Sequence, residues 1–266
     1  TADGDDAGRP RPHEDTAMKR LVTLLVLGTL AVTPMACKKN DKGTDNLQDL
    51  FSHDVKYEDH NSSADLLMNF VSNHDVGRLA YTLDQSLPNA SEEEKIKRFN
   101  LSNSLMYFAR GIPVVYYGDE QGFTGDGGDR GAREDMMPSL TPDYNDNNLY
   151  GTDKTTADDN FDQQHPIYKQ FAEYAEIYHG HKVLRRGVRK VEFASKEPGI
   201  FALSRSLDNE PTYYVVYNSA KTAKDFALKV AGTNAEVIFG NLEVATSGTK
   251  MSGQLAPLSM AIVAIK

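Results

Sequence analysis

Asn69–Asp75, reading NFVSNHD, and Gly111–Glu120, reading GIPVVYYGDE, are separated by 36 residues from Asp75 to Gly111. That interval is the length of a helix plus the turn into a next parallel strand. Leu66–Ser72 is a short apolar run suited to a buried parallel strand. Asn73-His74-Asp75 follows it directly, at the carboxyl end, where α/β barrels place their active sites. Ser91-Glu92-Glu93-Glu94 forms a capping box, with the Ser91 hydroxyl capping the backbone and Glu94 reaching back. It opens a helix expected to run to about Arg110, where Gly111 stops it. Ile112–Tyr117 is the second strand candidate, since Pro113 is tolerable near a strand's start. Period-2 alternation then predicts that Tyr116 and Tyr117 face opposite ways, one into the barrel interior and one toward the helices, both as core.

Beyond this unit lies a polar stretch, Thr124 to Gln164, dense in Asp, Asn, Gly and Thr. At some forty residues it far exceeds the roughly 12–15 at which unstructured loops become uncommon, so it is either functional or disordered. It holds Asp129 and Arg133, four apart. Starting at Asp143 it does not encode a calcium hand, because the sixth position is Asn148 and the twelfth Lys154. Pro166 suits a first helical position, and Ile167, Phe171, Tyr174, Ala175 and Tyr178 recur at helical spacing before Gly180. From Val191 onward the chain reads as short strands alone: Gly199–Ser204, Thr212–Tyr217, Phe226–Val230, Val237–Phe239 and Leu258–Ile265. Their even spacing between Gly, Asn and Pro turns predicts a small antiparallel sandwich. The organisation that follows is an α/β region over residues 47–190 and an all-β domain over residues 191–266.

At the other end, residues 1–17 are polar and without apolar period, which predicts disorder. Met18-Lys19-Arg20, then the uncharged, mostly apolar run Leu21–Ala36, then Cys37, has the three-part form of an export signal over residues 18–37. Cys37 after a small residue is similar to a bacterial lipoprotein signal, in which that Cys is lipidated, and residues 38–46 read as a charged tether. The protein is therefore expected to be exported, as a periplasmic, secreted or membrane-anchored lipoprotein, meeting the membrane only through the signal or the lipid. Cys37 is the single cysteine, which excludes an intramolecular disulfide and a multi-thiolate metal site. Lys+Arg 29 against Asp+Glu 38 gives −9, which offers no counter-charge to a phosphate backbone and argues against a nucleic-acid partner.

Taken together, NFVSNHD, the GIPVVYYGDE segment and the Asp129…Arg133 pair resemble the α-amylase family, glycoside hydrolase family 13. The resemblance runs from about Leu47 to Lys190, with a small β-sandwich afterward as in that family. It implies the fold class: α/β, a partial (β/α)8 TIM barrel formed by its last strands and helices, followed by a C-terminal all-β sandwich. It also implies roles. Asp75 would be the third catalytic carboxylate, a transition-state stabiliser; His74 and Asn73 would contact the sugar at the cleavage point; Asp129 and Arg133 would bind the neighbouring glucose. The implied activity is retaining hydrolysis of α-1,4-glucosidic bonds in starch or maltooligosaccharides.

A retaining glycosidase needs two further carboxyl groups about 5–5.5 Å apart. The family places its nucleophile in a glycine-arginine-x-aspartate type segment followed by a His, and its acid on the next strand. Neither segment is present, and the stretch from Thr44 to Leu66 has room for one short helix. The family's first-strand calcium motif is absent too, so no metal and no cofactor are expected. The expectation is a chain that is inactive alone, whose uncovered barrel edges favour self-association. The alternative is a non-catalytic surface lipoprotein that binds α-glucan. Glu120, just past the second strand, is expected to form an ion pair with a local Arg such as Arg110 or Arg133, the alternative being a contact with ligand.

Overall fold

A computed structural model describes residues 43–266. The signal-like run, Cys37 and everything before residue 43 lie outside the described residues. The described chain begins with Gly43 and Thr44 buried against the later sheet, Thr44 Oγ1 donating to the Ile200 carbonyl at 2.7 Å. Helix α1 (Asp45–Ser52) follows at once, so the expected tether gives way to helix at Asp45. Leu47 and Phe51, four apart, bury its apolar face.

The barrel part consists of β1 (Met68–Asn69), α2 (Leu79–Ser86), α3 (Glu92–Phe108), β2 (Ile112–Pro113), α4 (Pro166–Gly180) and α5 (Lys182–Arg186). β1 and β2 pair in parallel, Met68 opposite Ile112, which is the strand–helix–strand crossover expected from the sequence. Both strands are shorter than their apolar runs. Ala64–Leu66 is a 3-10 turn capped by the Ser63 hydroxyl, and Ser72 Oγ turns away to accept the Leu79 N–H at 3.0 Å. Beyond Pro113 only the Val114 N–H continues the ladder, to Asn69 O at 2.8 Å, before the chain turns. Among the described residues each strand has a single neighbour. Leu66, Met68, Ile112, Val114 and Val115 are consequently exposed, not buried as their composition predicts.

α3 is capped by Ser91, whose hydroxyl accepts the Glu94 N–H at 3.2 Å. The Glu94 carboxylate does not complete the capping box; it binds Arg98 on its own helix and Lys221 in a turn of the C-terminal part. α4 starts at Pro166 with His165 as its cap, and Ile167, Phe171, Tyr174 and Tyr178 bury its predicted face.

The C-terminal part is a sandwich of a five-stranded sheet, order β3-β4-β5-β10-β7, and a three-stranded sheet, order β6-β9-β8. The strands are β3 (Val188–Ala194), β4 (Ile200–Ser206), β5 (Thr212–Asn218), β6 (Lys224–Lys229), β7 (Ala235–Phe239), β8 (Val244–Ser247), β9 (Lys250–Leu255) and β10 (Ser259–Ile265). The sheet starts three residues before Val191, because β3 carries Arg189, Lys190 and Glu192 among its apolar positions. β8 and β9, VATS and KMSGQL, have too little apolar content to register as strands. Alternation decides how the layers meet. Phe201, Leu203, Tyr213, Val215, Tyr217, Ile262 and Ala264 turn to the helices, while Ile200, Ala202, Tyr214, Val216, Val263 and Ile265 turn to the smaller sheet. One core thus runs continuously from the helices into the five-stranded sheet.

Candidate functional site

Asn73 accepts two backbone N–H bonds on Oδ1, from Asp75 and Val76, both at 2.8 Å. This closes a tight turn directly after β1, completed by Gly77 N–H to Asn73 O at 3.1 Å. The amide oxygen of Asn73 therefore shapes the turn and is not offered outward to a sugar. His74 and Asp75 stand at its tip, 53% and 66% exposed, with Nε2 and Oδ1 3.4 Å apart. Gly77 lies at φ 85°, and a Cβ there would sit 3.4 Å from Gly128 N, so the turn packs edge to edge with the glycine-rich loop at residues 125–131.

That loop carries Asp129 and Arg133. Arg133 Nε donates to the Asp129 carbonyl at 3.0 Å, and its guanidinium lies 3.7 Å from the Asp129 carboxylate. Both side chains face solvent. The structure thus brings Asn73, His74 and Asp75 onto one rim and Asp129 with Arg133 onto the adjoining one. Among the described residues no hydrogen bond or ion pair joins the two groups directly.

The long polar stretch is folded throughout its middle. Thr156 Oγ1 accepts the Asn147 N–H at 3.1 Å, Asn147 Nδ2 reaches the Asp126 carboxylate at 3.2 Å, and Tyr150 Oη binds Asp84 at 2.7 Å. Side-chain hydrogen bonds do here what a β-ladder does elsewhere.

What joins the two rims is a residue that sequence reasoning missed. Arg78, 1% exposed, donates from Nη1 to the Tyr117 carbonyl at 2.6 Å and the Asp119 carboxylate at 3.1 Å, and from Nε to Glu134 at 3.0 Å. Its guanidinium also lies 4.7 Å from the Tyr116 ring centre and 5.0 Å from that of Phe123. A signal was available: a cation at the N-terminus of an apolar helix is disfavoured by the helix dipole and needs a local partner.

The two tyrosines are displaced from their expected places by this contact. Residues 114–117 leave strand geometry, and Tyr116 and Tyr117 pack on each other, 4.7 Å between ring centres, over Arg78 and not on opposite faces. Glu120 does not pair as expected either, since Arg110 is held by Asp54 and Arg133 by Asp129. Burial pushes the Glu120 carboxyl upward, against bonds from the Gly118 and Glu120 backbone N–H groups. Among the described residues there is no group of three His, Cys, Asp or Glu arranged to hold a metal ion.

Burial likewise raises Asp119 to about 6, outweighing the pull of Arg78 and the Ser72 hydrogen bond. A carboxyl whose folded pKa exceeds its unfolded value of about 3.9 binds protons more tightly when folded, so its contribution to stability grows as pH falls from about 6 to about 4. Comparison with Asp119→Asn isolates this. The wild type is expected to gain on the order of 2 kcal/mol relative to the variant between pH 7 and pH 4. Urea midpoints at both values check it, and a difference independent of pH would refute it.

Comparison with known proteins agrees with this geometry. The α-amylase catalytic-domain model matches residues 29–164, just over half of the chain. An α-amylase from Streptomyces lividans is 40% identical over 202 residues, covering 75% of this chain and 22% of that relative. Among solved structures, an Anoxybacillus α-amylase superposes with a TM-score of 0.68 at 19% identity over 94% of this chain. The α-amylase of Geobacillus thermoleovorans, solved with acarbose, gives 0.67 at 17% identity, also over 94%. The chain spans 46% and 47% of those two structures and a smaller share of the Streptomyces relative. With the catalytic-domain model matching just over half of its length, and a fold shared with these structures, the chain belongs to the α-amylase family.

Proposed function

We propose that this chain carries one side of an α-glucan site, with Asp75 as the carboxylate that grips the sugar ring at the cleavage point. His74 supplies a hydrogen bond to the same sugar, and Asp129 with Arg133 hold the next glucose unit. The observation that carries this reading is the packing of the Asn73–Gly77 turn against Gly128, which sets two exposed charged groups on adjoining rims. The acarbose bound by the Geobacillus relative is a ligand of the same chemical class. Glycoside cleavage passes through an oxocarbenium-like state, which a carboxylate beside the ring stabilises electrostatically. Residues 1–266 contain no segment like the family's nucleophile or acid, and Asp119 and Glu134 are committed to Arg78. The chain by itself is therefore proposed to bind glucan without cleaving it.

Calorimetry with acarbose and a reducing-sugar assay on soluble starch test this together. Acarbose binding weakened about 10- to 100-fold by Asp75→Asn, the loss of a charged hydrogen bond, is the expected result, with no sugar release above background. Sugar release by the purified chain that disappears in Asp75→Ala would overturn the non-catalytic part. Equal acarbose affinity in wild type and Asp75→Asn would overturn the site itself.

A further inference from the structure

We propose that Arg78 is a positioning residue of the glucan site, setting the placement of the Asp75 turn relative to the Asp129–Arg133 loop. This rests on the reading of that site given above. Arg78 follows Asp75 by three residues, and its partner Glu134 adjoins Arg133, so one ion pair fastens both rims within a few bonds of their exposed groups. The same guanidinium holds the chain between the rims through Tyr117 O and Asp119. Three separate segments therefore converge on one planar cation.

The chemistry requires arginine. Nε is directed at Glu134 while Nη1 is directed at Tyr117 O and Asp119, and the flat face stacks near Tyr116 and Phe123. A lysine ammonium, a point donor on a flexible stem, cannot serve both edges and the face at once. The surroundings are shaped for the guanidinium. A Cβ on Gly125, at φ 64°, would lie 2.5 Å from Gly131 O and 3.2 Å from both Arg78 Cγ and Glu134 Oε1, so glycine lets the loop fold back on itself beside the pair. The helix α2 N–H that Arg78 cannot cap is met by Ser72 Oγ. Arg78 Nη2 and Glu134 Oε1 are buried with no protein partner, so the contact is a single bond of what the two groups could form as a fork.

Arg78→Lys and Glu134→Gln, compared with wild type by amide hydrogen exchange and acarbose calorimetry, test this. Glu134→Gln retains an acceptor for Nε and serves as the conservative variant. In Arg78→Lys, amides of residues 75–77 and 125–131 are expected to exchange at least tenfold faster, with Val215 and Val263 in the sandwich unchanged. Acarbose affinity is expected to fall at least tenfold, and Glu134→Gln is expected to retain most of it. Unchanged exchange in both segments, or equal acceleration throughout the protein, would overturn the proposal. If wild type binds no acarbose, the glucan reading falls, and the exchange arm alone then decides whether Arg78 sets the two segments together.

Discussion

Asp54→Ala is expected to lower the unfolding free energy by about 3–5 kcal/mol, the range for removing one partner from a buried ion cluster. Asp54 is buried in a 3-10 turn after α1, and each of its carboxylate oxygens accepts from a different guanidinium, Arg110 on one side and Arg189 on the other. Both arginines lie over the Phe51 ring, 5.6 and 4.7 Å from its centre. Arg110 continues to the Asn69 amide oxygen at 3.3 Å, and Asn69 Nδ2 returns a bond to the Arg110 carbonyl. One carboxylate thereby ties together the α1 region, the β1–β2 pair and β3. Without it two guanidiniums remain buried, close and uncompensated. Burial already holds the Asp54 carboxyl above its usual pKa despite both arginines, which marks a site where taking charge out of water is the larger effect. The cost of the substitution is thus the orphaning of two cations more than the worth of two bonds. Urea denaturation measures it, with the exposed Glu93–Lys97 pair on α3 as a contrast whose removal is expected to leave the midpoint nearly unmoved. A loss below about 1 kcal/mol for Asp54→Ala would mean that water reaches the arginines when the carboxylate is gone.

Sequence and structure part company where contacts, and not periodicity, decide the outcome. The parallel pair Met68–Ile112 was legible because a strand, a capped helix and a second apolar run stand at the spacing of a crossover. The five-stranded sheet was legible at β4, β5 and β10, whose uninterrupted apolar runs report burial on both faces. β3 was obscured by its charges, since Arg189 reaches back to Asp54 and Glu192 accepts from Ser204, partners invisible in a linear reading. The candidate site divides the same way. His74, Asp75, Asp129 and Arg133 are exposed and motif-borne, so their positions follow from the chain alone. Arg78, Asp119 and Glu134 form a buried unit only because residues 56 positions apart meet, and no local pattern encodes that meeting.

Phe201→Ala is expected to cost about 3–5 kcal/mol, the range for truncating a fully buried phenylalanine. Phe201 on β4 is fully buried between Phe51 of α1, 6.0 Å between ring centres, and Tyr217 of β5, 6.1 Å away. Its neighbours in sequence, Ile200 and Ala202, turn to the opposite face and the smaller sheet, so the lesion is confined to the face shared with the helices. That confinement makes the shape of the transition informative as well as its midpoint. If the helices and the five-stranded sheet unfold as one unit across their common core, circular dichroism of helix and near-ultraviolet signals of the sandwich tyrosines will move together to lower urea. The slope is then unchanged and the midpoint alone shifts. If instead the helical signal melts early while the tyrosine signal holds at its wild-type midpoint, the sandwich is stable by its own second core and the helices merely lean on it. Alternation along β4, β5 and β10 favours the first outcome, because the same strands supply both cores, and a strand cannot keep one face ordered after its register is lost on the other.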